Sequence, residues 1–134
     1  MHQSRQIFYI KKNSTLPKLK FPLTQAIMEY YDITEDMLEN CAVTFSMVDA
    51  DTGIYKIANS EANLEISENR ALEPDEVKYT LTYRFSSKDT RKEGHFKGQF
   101  QIDFLGNFCG KMAFPTNQMI DIYIQDSITV TTVV

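Results

Sequence analysis

The sequence predicts an all-β antiparallel sandwich, and three observations predict it. Apolar residues recur at every second position in several short segments, turn-forming clusters separate those segments, and no stretch sustains a helical period. The clearest segment is Gly94 to Phe104, GHFKGQFQIDF. Phe96, Phe100, Ile102 and Phe104 share one parity with Gly98, whereas His95, Lys97, Gln99, Gln101 and Asp103 share the other. A pleated strand sends alternate side chains to opposite faces. One face therefore buries three phenylalanines, each removing roughly 150–250 Å² from water, while the other stays wet. Gly98 leaves a gap on the apolar side where a neighbouring aromatic ring can sit, or marks a bulge. This is the expected central strand, and the other segments must supply its partners.

A chain of 134 residues is read as a single domain, 1–134, with its core over about 7–126 and a tail at 127–134. A composition of 43% hydrophobic and 24% charged residues supplies enough apolar side chains for a packed interior and argues against extended disorder. The net charge of −4 argues against duplex nucleic acid, whose affinity comes from basic groups neutralising phosphates. No apolar run reaches the ~20 residues of a membrane span. MHQSRQIFYIKKN at the N-terminus lacks the apolar core and cleavage site of a signal peptide. Folding in a cytoplasm is expected, with no nucleic-acid and no membrane partner. In that reducing setting Cys41 and Cys109 are not expected to pair, and the Asn13-Ser14-Thr15 sequon is only a polar turn.

In chain order, Ile7 to Ile10 is a short first strand ended by Lys11-Lys12-Asn13. Lys18 to Leu23 alternates, with Leu19, Phe21 and Leu23 on one face. Pro17 and Pro22 remove backbone donors and push this strand to an edge or a bulge. Ala26 to Tyr31 reads equally as strand or helical turn. Thr34 to Glu39 has a capping threonine followed by carboxylates, the pattern of a short helical turn. Val43, Phe45 and Met47 point inward from the next strand, Asp49 to Gly53 forms a turn, and Ile54 to Ile57 returns as a hairpin. Ala62 to Ile66 is another short strand, and Glu68 to Glu76 a polar loop. Val77 to Phe85 alternates strongly, with Leu81 and Tyr83 on its apolar parity. Ser86 to Glu93 is a charged loop leading into the central strand. Gly106-Asn107 and Gly110 turn the chain so that Lys111 to Phe114 comes back antiparallel. Finally Ile120, Ile122 and Ile124 alternate with Asp121, Tyr123 and Gln125, before the tail SITVTTVV. The expected core is Phe45, Met47, Leu81, Tyr83, Phe96, Phe100, Ile102, Phe104 and Ile122.

Motifs for chemistry are sparse. His95 lies on the polar parity of its strand and is read as solvated, and neither His2 nor a cysteine stands at zinc-ligand spacing from it. Asp49-x-Asp51-x-Gly53 opens like a calcium loop, but its sixth and twelfth positions are Ile54 and Ser60, where such a loop needs glycine and glutamate. A hairpin turn fits better. Asp75-Glu76 and Asp89 with Glu93 sit in polar loops with nothing to hold them across a cleft. There is no G-x-S-x-G, P-loop or G-x-G-x-x-G. No catalytic residue, metal site or cofactor is expected. Most of the nine phenylalanines and seven tyrosines share parity with aliphatic residues and belong to the core. Tyr30, Tyr31, Tyr55 and Tyr123 are the candidates for the surface.

The ends suggest contacts. Soluble proteins blunt edge strands with charge or proline, and Ile7-Phe8-Tyr9-Ile10 and Ile128 to Val134 carry little of either. Ile7, Phe8, Tyr9, Tyr123, Ile128, Val130, Val133 and Val134 are the candidate partner-binding residues, acting by strand addition to a neighbouring subunit.

The order of segments resembles a known family. Asp32-Ile33-Thr34 precedes Ala42-Val43-Thr44-Phe45-Ser46-Met47, a turn ending in Gly53, and a strand around Leu64 to Ile66. Then come Tyr79 to Tyr83, Asp89-Thr90, Gly94 to Phe100, Phe114-Pro115 and Ile120 to Ile124. From Phe8 to Asp126 this is similar to the immunoglobulin-like N-terminal domain of upper baseplate proteins of tailed bacteriophages. Phe96 stands where that family usually has Tyr, and Gly98 where it often has another small residue. The resemblance implies an immunoglobulin-like antiparallel sandwich of about seven to nine strands with at most one short helical turn. It also implies a non-enzymatic virion protein, assembled in the host cytoplasm, that docks in multiple symmetric copies on other phage proteins of the tail, baseplate or neck. A capsid-surface decoration, or a carbohydrate-binding module for host cell-wall glycans, is the alternative.

Overall fold

The computed structural model describes residues 6–67, 77–105, 110–116 and 118–126. In chain order these residues form β1 (Ile7–Lys11), β2 (Leu19–Leu23), α1 (Gln25–Tyr30), α2 (Glu35–Glu39), β3 (Cys41–Asp49) and β4 (Tyr55–Glu61). They continue as β5 (Asn63–Ile66), β6 (Tyr79–Tyr83), β7 (Gly94–Phe104), β8 (Gly110–Phe114) and β9 (Ile120–Gln125). The larger sheet runs β1-β9-β7-β3-β4, with β8 also paired to β7, and the smaller runs β2-β6-β5. The two sheets enclose one interior. This is the strand order of immunoglobulin-like sandwiches, with β2, β6 and β5 in the places of B, E and D, and β3, β7 and β9 in those of C, F and G.

β7 is the central strand, antiparallel to β3 along nine paired residues. On its other side β9 pairs with Gly94 to Gly98 and β8 with Phe100 to Phe104, so β8 and β9 follow one another along a single flank. Pro115 lies at the break between them, its carbonyl accepting a bond from Gln99 Nε2 at 2.9 Å. Gly98 is a point of close approach. A Cβ there would lie 2.6 Å from Phe45 Cζ and 2.7 Å from Ile122 Cδ1, so the Phe45 ring fills the gap left by the glycine.

Phe45, Met47, Leu81, Tyr83, Phe96, Phe100, Ile102, Phe104 and Ile122 are all buried. Aromatic contacts join the sheets: Phe45 stacks on Tyr83 at 4.6 Å between ring centroids and meets Phe85 edge-on at 5.9 Å, while Phe21 lies 6.0 Å from Phe114. Interior polar groups are bonded. The Tyr83 hydroxyl donates to Asp89 Oδ2 at 2.9 Å, and Ser60 Oγ lies 3.2 Å away on its other side. Asp89 Oδ2 also accepts from the Ser86 amide at 2.9 Å. Burial, as the largest cause, pushes the Tyr83 phenol up to about 12, with the Asp89 carboxylate adding to the rise and the Ser60 bond opposing it. The fully buried Thr90 donates to the Ser14 carbonyl at 2.8 Å, tying the β6–β7 loop to the β1–β2 connection.

Three expectations need correction. β1 runs parallel to β9, not antiparallel. No hairpin joins them, and with almost the whole domain as the crossover nothing local imposes the antiparallel sense. There are two helices rather than at most one helical turn. Thr24 Oγ1 caps α1 by accepting from the Ile27 amide at 3.2 Å, and Ile27 is buried, which resolves the ambiguous stretch at Ala26 to Tyr31. The strand expected over Val77 to Phe85 is confined to Tyr79–Tyr83. Within it Thr82 is buried on the outer side, where its hydroxyl donates to Glu65 Oε2 at 3.1 Å beneath the Lys18–Glu65 ion pair.

Candidate docking surface

The outer face of the larger sheet carries an aromatic ladder. Paired positions on β1, β9 and β7 bring Tyr9, Tyr123 and His95 into one row. Tyr9 stacks on Tyr123 at 5.5 Å between centroids with planes 22° apart, and Tyr123 on His95 at 4.4 Å and 8°. The imidazole is held in place by its Nε2, 2.7 Å from Asp121 Oδ1. Asp121 is only 6% exposed although it belongs to the outer parity of β9. In its own row it sits between Ile7 of β1 and Lys97 of β7. Ile7 and Tyr9 are 45% and 55% exposed, so the row ends on an apolar corner at the sheet's edge.

His95 is therefore not the solvated histidine its parity predicts. A ring stacked on one side and hydrogen-bonded to a buried carboxylate is a structural part of the face. Phe8 also departs from expectation. It turns inward and stacks on Phe85 at 5.9 Å, because its parity on β1 is that of the buried Ile10. Of the remaining candidate contacts, Ile7, Tyr9 and Tyr123 are brought together. Ile128, Val130, Val133 and Val134 lie outside the described residues, as do Cys109, His2, Asp75-Glu76 and the Gly106-Asn107 turn. The sequence reading missed Asp121 altogether. A carboxylate among alternating isoleucines was the available signal, but its partner is fixed only by the β7–β9 register.

Other surface features are separate from this corner. Tyr30 and Tyr55 are exposed at 56% and 65%, whereas Tyr31 packs edge-on against Phe114 and bonds to Thr116. The Asp49 turn closes as a hairpin: Asp49 Oδ1 accepts from the amides of Asp51 and Thr52 at 2.9 and 3.0 Å. Those amides, Thr52 first, hold its carboxyl below the usual range. An open groove of about 590 Å³ lies beside α2 where β3, β4 and β5 meet, lined by Leu38, Cys41, Val43, Leu64 and Ile66. Burial pushes the Cys41 thiol up, the opposite of what a thiolate nucleophile needs, and its Sγ lies 3.5 Å from the Leu38 carbonyl.

Among the described residues no group of three or more His, Cys, Asp or Glu side chains is placed to hold a metal ion, and no helix is long and apolar enough to cross a membrane. The chain matches no family model, and neither a curated protein nor a solved structure matches it.

Proposed function

We propose that this chain is a non-enzymatic structural protein of a tailed bacteriophage virion, an immunoglobulin-like adaptor that docks on other tail, baseplate or neck proteins. The observation that carries the reading is the apolar corner of Ile7, Tyr9 and Tyr123 at a sheet edge that no other described strand covers. Aromatic side chains with apolar bodies are enriched in the buried centres of protein interfaces. The resemblance of the segment order to that of the baseplate family supports the virion setting. Asp89-Thr90 of that pattern bonds the β6–β7 loop to Tyr83 and to the Ser14 carbonyl, a scaffold role that suits an adaptor.

A carbohydrate-binding module needs open aromatic faces on which sugars stack. Here Tyr123 has one face on Tyr9 and the other on His95, so the central ring of the ladder offers no open face on which a sugar could stack. That geometry favours a protein partner arriving along the edge over a glycan lying across the face. Mass spectrometry of particles purified from the phage encoding this chain tests the reading. The chain is expected at a defined copy number; its absence from particles, or specific binding on a glycan array, would overturn the proposal.

A further inference from the structure

We propose that the edge of β1, unpaired among the described residues, pairs antiparallel with β1 of a second copy of this chain, with Tyr9 opposite Tyr9. The inference rests on reading this corner as an assembly surface and names the partner of its edge.

The backbone directions come first. The Gln6 carbonyl accepts from the Asp121 amide at 3.0 Å and the Lys12 amide donates to the Gln125 carbonyl at 2.7 Å. Alternate residues of a strand point their backbone groups to opposite sides, so Phe8 and Ile10 also bond to β9 while Ile7, Tyr9 and Lys11 face the edge, where the Lys11 carbonyl accepts from the Ser14 amide at 3.0 Å and the groups of Ile7 and Tyr9 are left to pair.

The edges differ in how they are protected. β2 carries Pro22 between two paired residues, and its Lys20 carbonyl is covered by Gln6 Nε2 at 2.8 Å. β4 has two register shifts against β3 and a left-handed Asn59 at φ 51°. β5 is four residues long and carries Glu65. Proline, bulges, charge and short length are the devices that prevent edge-to-edge pairing. Among the described edge strands, β1 and β8 each have a regular ladder of five pairs, but β8 carries Lys111 within it and runs straight into Pro115, whereas β1 has no proline, no bulge and no charge before Lys11.

A second copy fits this edge by register and by charge. Centring the two-fold axis on Tyr9 places Ile7 opposite Lys11 of the other copy, so no like charges meet directly. The lysine stem covers the exposed Ile7, and its ammonium extends along the row that continues to Asp121. The ladder continues as well. Its rings are spaced 4.4 and 5.5 Å across successive strands, and the next ring in such a series is the Tyr9 of an added strand. Paired residues of this kind have Cα atoms about 5.5 Å apart, a separation two tyrosine rings can stack across. Five residues and one ring pair bury less than the roughly 800 Å² per partner of a standard interface, so the dimer is expected to dissociate on dilution.

Sedimentation of the full chain from millimolar to micromolar loading is expected to show a reversible monomer–dimer equilibrium, with the Tyr9 amide protected from exchange in the dimer. Tyr9→Pro deletes the edge-facing donor and the terminal ring and keeps the bonds of Phe8 and Ile10 to β9, a placement edge strands tolerate, so it is expected to be monomeric with an unchanged circular dichroism spectrum. With Cys41→Ser and Cys109→Ala as background, Tyr9→Cys is expected to form an intermolecular disulfide, since about 5.5 Å between Cα atoms suits one. Ile7→Cys alone is not expected to link, and Ile7→Cys mixed with Lys11→Cys is. A chain monomeric at every concentration overturns the proposal. So does a dimer that survives Tyr9→Pro, or self-linking of Ile7→Cys. A monomer whose Tyr9 amide is nevertheless protected shows the edge filled by the chain's own 127–134 segment, and also overturns it. Incorporation of the Tyr9→Pro chain into particles separates the two claims: a monomer that still incorporates leaves the adaptor standing, and a dimer missing from particles leaves only the pairing.

Discussion

Gly98 and Tyr83 illustrate how single side chains constrain the interior. At Gly98 the missing Cβ is the room that Phe45 and Ile122 occupy. Gly98→Ala must displace ring or backbone, and overpacking of this kind costs about 1–3 kcal/mol. Chemical denaturation is expected to show that loss, and Ile122→Val in the same chain to recover part of it. Tyr83 sets an alkaline limit. Its folded pKa is raised to about 12 from an ordinary 10.0, so the folded state holds the proton more tightly. Its contribution to stability is complete below pH 10 and is lost as pH rises toward about 12. Denaturant midpoints measured across that window are expected to fall, and the part due to this phenol to vanish in Tyr83→Phe. Both residues announced themselves in the sequence: Gly98 interrupts a run of phenylalanines of one parity, and Tyr83 shares the parity of Leu81 and is buried as that predicts. The partners of the Tyr83 hydroxyl, Asp89 and Ser60, are what no spacing rule connects to it.

At the scale of elements, period and caps were the readable signals. β7 spans Gly94–Phe104 as its alternation indicates, and β3 buries Val43, Phe45 and Met47. α1 was ambiguous because AIMEYY has too few residues to show a period; the capping Thr24 decides it. Thr24→Ala is expected to cost roughly 0.5–2 kcal/mol, the usual loss for such a cap, read as a lower denaturation midpoint. What the sequence could not show is pairing between distant strands. The parallel sense of β1 and β9 and the Tyr9–Tyr123–His95 row both follow from register, and register is a property of the closed sheet. The candidate corner was therefore half legible. Its exposed members were named, but the histidine and the aspartate that brace them were not.

The whole molecule places β1 and β9 side by side in the same direction, and this has a consequence for how the fold answers a pulling force. The chain enters β1 at Ile7 and leaves β9 at Gln125, at opposite ends of the paired segment. Tension applied through the flanking chain slides the two strands lengthwise, so the rungs between them share the force and must fail together rather than one by one. Single-molecule pulling from residues flanking the domain is expected to show a high rupture force. Phe8→Pro, which deletes a rung, is expected to lower it more than Tyr9→Pro, which does not; equal forces for the two variants would mean that this strand pair is not the mechanical clamp.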